Sequence, residues 1–521
     1  MQISTRIGSK FSANQHICGS MILRLLTVAV AALIVLGDFG CTRREDPAVA
    51  RGTTVVMAII HSDDLKPDET NLDFLTFLPL AKLNEHGELE GHLAQSWEHS
   101  ADHREYTFHL RTDVLWHDGV PVTAHDVKFT LDLLHHPDVA DYPWVDVTVI
   151  DDSTVRIRAT KPDYINDIVY YPQHLLKDLD PKGFWTWPFW TSPVGNGPFR
   201  FVQYVPETMI EFEANPDFYG AQPRIKRLIL KIVGAAGFTE LLAGNVDIVG
   251  EVDLTKVPRV AGDARFRVYV RAVASARAIQ WKVDNPLFSD RRVRLALTLA
   301  LDRRELLEFV NLPPELPITD GVFTERQFRR RELPEPLPYD PEQSRALLDA
   351  AGWSDRDGDG LREKDGRPFR FTASVLNGQS MELIAVYVQA QLRRVGVQME
   401  IQLTEPAAMW DKLHSGDFEA WVFIDQAPPN RQQAIHGRGN AAGYDNPEAF
   451  QVLDQLVTTA DPEEVDAHYR RLTEIYRIDP PFTRLIPMTR DWFVHRRIRG
   501  LSTPFRADPD TYMETLWVEE P

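Results

Sequence analysis

"FRFTASVLNGQSMELIAVYVQAQLRRVGVQMEIQLTEPAAMWDKLHSGDFEAWVFI", residues 369–424, decides the fold class. Its opening, "FRFTASVL", reads as a strand. "MELIAVYVQAQLRRVG" then places Ile384, Val388, Leu392 and Val395 on one helical stripe, with Gly396 as the stop. "VQMEIQLTE" alternates through Val397, Met399, Ile401 and Leu403, which is the pattern of a half-buried strand. "AAMWDKLHSG" is a short helix and "DFEAWVFID" a further strand. A β-α-β-α-β succession implies parallel strands joined by right-handed crossovers. Helices over 446–460 and 462–478 follow, and "TRLIPMTRDWFV" returns as a strand.

The chain on the N-terminal side has another texture. "TTVVMAII", residues 53–60, reads as a buried strand, and short strands dominate from there to about 280. "EYTFHLRTDV" turns Tyr106, Phe108 and Leu110 to one face, and "STVRIRAT" does so with Val155 and Ile157. From about 285 the pattern is helical. "SDRRVRLALTLALDRRELLEFV" reads as a helix capped by Ser289, with Val293, Leu297, Ala300 and Leu301 at helical spacing. Residues 311–341 are proline-rich, carry too few apolar residues for a core, and are expected to wrap over a surface.

At 521 residues the chain needs two or three domains. A formal net charge of −19 opposes binding to nucleic acid and to anionic lipid, both of which call for basic clusters. Cys18 and Cys41 are the only cysteines, so the body holds neither a disulfide framework nor a thiolate zinc site, which suits export. "MILRLLTVAVAALIVL", residues 21–36, has the length of a signal-peptide core and is short for a membrane span. Residues 1–41 are therefore expected to be a targeting segment that starts at Met21. Gly40-Cys41 resembles a lipoprotein cleavage site, with lipid attachment at Cys41, although Asp38 and Phe39 depart from that pattern.

Motifs for catalysis are missing: no G-x-S-x-G, H-E-x-x-H, phosphate loop or dinucleotide fingerprint occurs. "DRDGDGLREKDG", residues 355–366, sets Asp355, Asp357 and Asp359 at alternate positions before Gly360. That is the first half of a calcium loop, to which the Leu361 carbonyl and Glu363 could add ligands, but Gly366 stands where a bidentate glutamate is needed. An Asp-Gly-rich hairpin loop is the alternative. "FWTWPFWTSPVGNGPF", residues 184–199, clusters Trp185, Trp187 and Trp190, which either line a ligand pocket or pack a domain corner. "LWHDGVPVTAHDVKFTLD", residues 115–132, holds His117 and His125 eight residues apart across a turn, which is not a metal-ligand spacing.

Residues 91–134, "GHLAQSWEHSADHREYTFHLRTDVLWHDGVPVTAHDVKFTLDLL", resemble the signature of family-five extracellular solute-binding proteins of ABC transporters. That family includes oligopeptide-, dipeptide- and nickel-binding proteins. "PVGNGPFRFVQY", "ANPDFYGAQPRIKRLIL", "FSDRRVRLALTLALDRREL", "YDPEQSRALLDAAGWSDRDGDG", "LRRVGVQMEI", "LHSGDFEAWVF" and "GYDNPE" are similar to further family segments, in order. Asn196 and Lys282 depart from it, standing where the family often has Thr and Asn.

The resemblance implies an α/β, two-lobed periplasmic-binding-protein-like fold of class II type with an additional α/β domain. Lobe I is expected from 50–88, 192–280 and 490–521, the extra domain from 89–191, and lobe II from 281–489. Within 91–134 it implies strand, turn and helix, with Thr123 and Asp126 as a capping box and both histidines structural. The implied function is capture of oligopeptides or dipeptides between the lobes by a monomer, periplasmic or at the cell surface, for delivery to a permease and its ATPase, with no catalysis and no required cofactor; structural calcium remains a separate reading of the Asp355–Asp359 loop. Asp425 is the closest match to an aspartate that anchors a peptide's amino terminus, with Phe423 beside it on the same strand. An oligosaccharide stacked on Trp185, Trp187 and Trp190, a metal chelate, or a secreted hydrolase with dispersed carboxylates are the alternatives.

Overall fold

The strand expected at 53–60 forms as β1 (Thr54–Ile59), with Val55 and Met57 turned inward. The computed structural model describes residues 53–59, 73–84, 86–140, 144–159, 168–250, 254–330, 333–378, 380–425, 437–501 and 515–519; the apolar segment 21–36 and Cys41 lie outside them. β1 pairs in parallel with β10 (Arg227–Ile232) and β11 (Ile248–Gly250). β8 (Phe199–Val205) and β9 (Met209–Ala214) extend that side in antiparallel fashion.

Between β1 and β8 the chain builds a separate unit. A hairpin of β2 (Ala81–Leu83) and β3 (Leu89–Gly91) precedes a four-stranded antiparallel sheet. Its members, β4 (Ala94–His99), β5 (Glu105–Leu110), β6 (Trp144–Asp151) and β7 (Thr154–Ala159), lie in the order β4-β5-β7-β6. Helix α1 (Ala124–His135) packs on this sheet through Val127 and Leu131. The expected capping box is present, with the Thr123 amide donating to Asp126 Oδ2 at 2.8 Å. One apolar cluster runs from Phe77 to Trp190, and among the described residues only Val194, Phe218 and Tyr219 pack on it from outside that range.

Residues 289–310 form two helices, α2 (Arg291–Leu299) and α3 (Arg303–Phe309). Asp290, not Ser289, caps the first, accepting from the Arg292 amide. Asp302 accepts from the Glu305 amide and restarts the chain as a new helix. Residues 311–341 do wrap, but they also enter the interior: Leu312, Leu316, Ile318, Val322, Phe323 and Phe328 are buried. This strap contains α4 (Glu325–Arg330) and ends at α5 (Pro341–Ala350), after which β13 (Glu363–Lys364) and β14 (Arg367–Pro368) form a short hairpin.

The β-α-β-α-β succession forms as β15 (Arg370–Leu376), α6 (Met381–Arg393), β16 (Gln398–Thr404), α7 (Pro406–Ser415) and β17 (Ala420–Asp425), with β15 parallel to both neighbours. Ile384, Val388, Leu392 and Val395 are buried along α6, and Gly396 ends it with φ +82. Helices α8 (Pro447–Thr458) and α9 (Pro462–Ile478) pack as a pair. Two long strands, β12 (Phe266–Trp281) and β18 (Phe482–His495), join the two sides. The result is one ten-stranded sheet in the order β16-β15-β17-β12-β18-β11-β1-β10-β9-β8.

Candidate functional site

Strand direction locates the site. β17 ends at Asp425, which pairs with Ala276 of β12. β11, from the other half of the sheet, ends at Gly250, which pairs with Trp492 of β18. Both carboxyl ends therefore arrive at one stretch of the β12–β18 ribbon, residues 269–276 and 487–492. Ligands of open α/β sheets bind beyond the carboxyl ends of strands. The ribbon's register breaks at the same place. Between the pairs Ala272–Thr489 and Ala276–Pro487, three residues of β12 face Met488 alone, and the register shifts again between Arg277 and Ala278. A bulge bends and twists a strand locally, which is what a hinge between lobes requires.

Charge gathers at this break. Arg484 and Asp425 form an ion pair of 3.1 Å at 2% and 0% side-chain exposure. Arg484 also donates to the carbonyls of Ala274 (2.6 Å) and Gly321 (2.5 Å) and to Thr319 Oγ1 (2.8 Å), which ties β12 to the strap. Burial pulls the Arg484 pKa down, and Asp425 and Asp320 pull it back up. Arg303 holds Asp320 at 2.9 Å, with both buried. Arg277 is buried too, its pKa lowered by burial and supported by Asp491. A cavity of about 290 Å³ lies between the ribbon and the strap. Arg271 and Ala272 of β12 wall it on one side, and Arg304, Ile318, Phe328 and Glu335 on others. That volume is at the lower edge of small-molecule sites, roughly 300–1,000 Å³.

The residues singled out in the sequence are dispersed. Phe423 stacks on Trp421 at 4.4 Å in an apolar cluster with residues of α8 and α9. Trp187 and Trp190 are interior to the 77–190 unit, their indole N–H groups donating to the carbonyls of Asp180 (3.0 Å) and Phe184 (2.5 Å). Packing accounts for these two; Trp185 is half-buried against the same cluster. Asp355, Asp357 and Asp359 do come together, each offering an oxygen within 4.8 Å of the others. They also cap their own loop, Asp355 accepting from the Gly358 and Gly360 amides and Asp359 from that of Leu361. Glu363 pairs through its backbone with Ser354. His117 braces the 77–190 unit: its Nε2 lies 3.1 Å from the Gly197 carbonyl and its Nδ1 accepts from the Gly195 amide. Burial lowers its pKa to about 4. His125 is an exposed neighbour of Asp152.

The arginines of the ribbon and the strap went unnoticed in the sequence. A signal for them existed: Arg484, Arg490 and Asp491 interrupt an otherwise apolar strand that the topology places in the middle of a sheet.

Residues 88–435 match the model of "Bacterial extracellular solute-binding proteins, family 5 Middle". The chain belongs to this family. It is 26% identical over 475 residues to the oligopeptide-binding protein AppA of Bacillus subtilis, covering 83% of this chain and 84% of the relative. It is 28% identical over 420 residues to a putative ABC transporter peptide-binding protein of Brucella ovis, covering 75% and 77%. Among solved structures, NikA from Brucella suis in complex with Fe(III)-EDTA superposes with a TM-score of 0.75 at 19% identity, covering 89% of this chain and all of that one. The family's two-lobed fold is thus the fold of this chain, and its members bind solutes outside the cytoplasm. Among the described residues, no helix is long and apolar enough to cross a membrane.

Proposed function

We propose that the protein captures peptides at the β12–β18 hinge and presents them to the permease and ATPase of an ABC importer. The convergence of strand ends from both halves of the sheet on a register break supports a site that closes around its ligand. Peptide as the cargo rests on the relatives, two of which are named for it. A peptide bound at about 1 µM should raise stability by roughly 2.7 kcal/mol at hundredfold excess. Thermal shifts with di- to pentapeptides test this; shifts with oligosaccharides or metal chelates alone would refute it.

Asp425 enters this reading in one of two ways that a single comparison separates. If it meets the peptide's amine, Asp425→Asn weakens a free peptide and spares its N-acetylated form. If it acts through Arg484, both peptides lose affinity alike.

Three further readings go with this function. The body is exported by the 1–41 segment and anchored through Cys41; intact mass of the membrane-associated protein checks for the lipid. It works as a monomer, which light scattering checks. Calcium at Asp355, Asp357 and Asp359 is favoured by the convergence of their oxygens. Chelator should then lower the melting temperature and calcium restore it; an unchanged curve removes the ion from the account.

A further inference from the structure

The 77–190 unit touches two neighbours in different ways. Toward β8 and β9 the attachment is buried. The amides of Asn196 and Gly197 donate to the Thr76 carbonyl, and Asn196 Oδ1 accepts from the Leu78 amide at 2.8 Å. His117 bonds both Gly195 and Gly197. Gly195 lies so close to the Thr76 carbonyl that a side chain there would overlap it. Phe218 and Tyr219 pack on the unit's apolar cluster, and Arg111 sits 4.3 Å over the Tyr219 ring. This side is fused.

Toward lobe II the attachment is a thin polar seam. His103 Nε2 lies 3.6 Å from Asp461 Oδ2, and Arg104 donates to the Thr458 carbonyl at 3.1 Å, so the β4–β5 turn meets the α8–α9 corner. Arg329 of α4 donates to the carbonyls of Leu83 and Asn84, each at 3.0 Å, and Gly87 in the hairpin turn sits close against the Arg326 backbone, so the strap meets the β2–β3 hairpin. No apolar cluster among the described residues holds members from both 77–190 and 281–487.

A unit fused to one lobe must travel with it. Rotation about the ribbon break then leaves the fused side intact and has to part the seam. Few, partly exposed polar links, with no apolar surface stripped bare, make such an interface reversible.

We infer that the 77–190 unit is the latch of the closed state: the His103–Asp461, Arg104–Thr458 and Arg329–Leu83/Asn84 contacts form on closure and part on opening. This rests on the two-lobed solute-binding reading and gives the extra domain a role in holding the cleft shut.

The test uses spin labels at Ala101→Cys and Glu464→Cys, exposed positions flanking the seam, in a chain whose Cys18 and Cys41 are replaced by Ser. Pulsed electron resonance reads the distance distribution of the solute-free protein. Arg104→Ala with Arg329→Ala should raise the long-distance fraction relative to the short one about fivefold. Asp461→Asn, a milder change, should shift it in the same direction. Identical distributions in labelled parent and both variants would overturn the latch. Because no solute is needed, a shift seen in a protein that binds none of the peptides tried would keep the latch and discard the peptide reading.

Discussion

The segment 281–487 meets the rest of the described chain along the β12–β18 ribbon and again along the polar seam, and the two contacts differ in burial and charge. Beside the ribbon's register break lie two buried ion pairs, Arg484 of β18 with Asp425 of β17, and Arg303 of α3 with Asp320 of the strap. The seam carries half-exposed groups on turns and a hairpin. A buried charge whose partner is removed stays uncompensated, whereas an exposed one turns to water. So the ribbon is where the protein keeps its stability and the seam is where it can afford to let go.

The comparison breaks most readily at Asp425. Asp425→Ala should destabilise by about 3–5 kcal/mol, because it strands Arg484 in the interior. Urea denaturation measures it, and a loss below about 1 kcal/mol would mean that the ribbon is as forgiving as the seam. Replacing both partners, Asp425→Leu with Arg484→Met, should recover much of the loss.

The fused side of the 77–190 unit gives an intermediate effect, set by pH. His117 is held neutral, with a folded pKa of about 4 against 6.5 in the unfolded chain. Between those values the unfolded state binds the extra proton, so stability is full above about 6.5 and is lost as pH falls toward about 4. The loss should approach roughly 2 kcal/mol, less than the whole shift implies because the ring is half-buried. His117→Gln should flatten the dependence between pH 7 and 4.5. His92, whose pKa burial also lowers to about 4, adds to the slope.

The smallest effect belongs to the seam. Arg104→Ala should change global stability by less than about 1 kcal/mol while altering the opening equilibrium. A larger loss would show the seam to be a structural interface.

Much of the fold was legible because it rests on local rules. The stripe from Ile384 to Val395, the Gly396 stop and the Thr123–Asp126 box each involve residues within one helix. The break at Asp302 was missed because apolar spacing runs through it while a side-chain cap does not show in periodicity. The strap's buried residues were missed since prolines mask isolated apolar positions that only a distant surface can cover. The charged cluster at the register break was hardest. Asp425, Arg484 and Asp320 are separated by long stretches of chain and meet only through the sheet order. The tryptophans drew notice for their density, yet Trp187 and Trp190 answer a local need for packing.

β18 also bears on how the chain comes to be folded. It lies at residues 482–495 and, among the described strands, is the only one pairing with both β12 and β11. Without it the remaining nine strands fall into a group of four and a group of five that share no ladder. A chain emerging from its N-terminus therefore carries both partial sheets with open edges until almost the last residues arrive. Long-range pairing of this kind is slow to nucleate. For a chain exported unfolded, lateness is an advantage: the strand that joins the two partial sheets is delivered after both, and the ten-stranded sheet cannot close before it arrives.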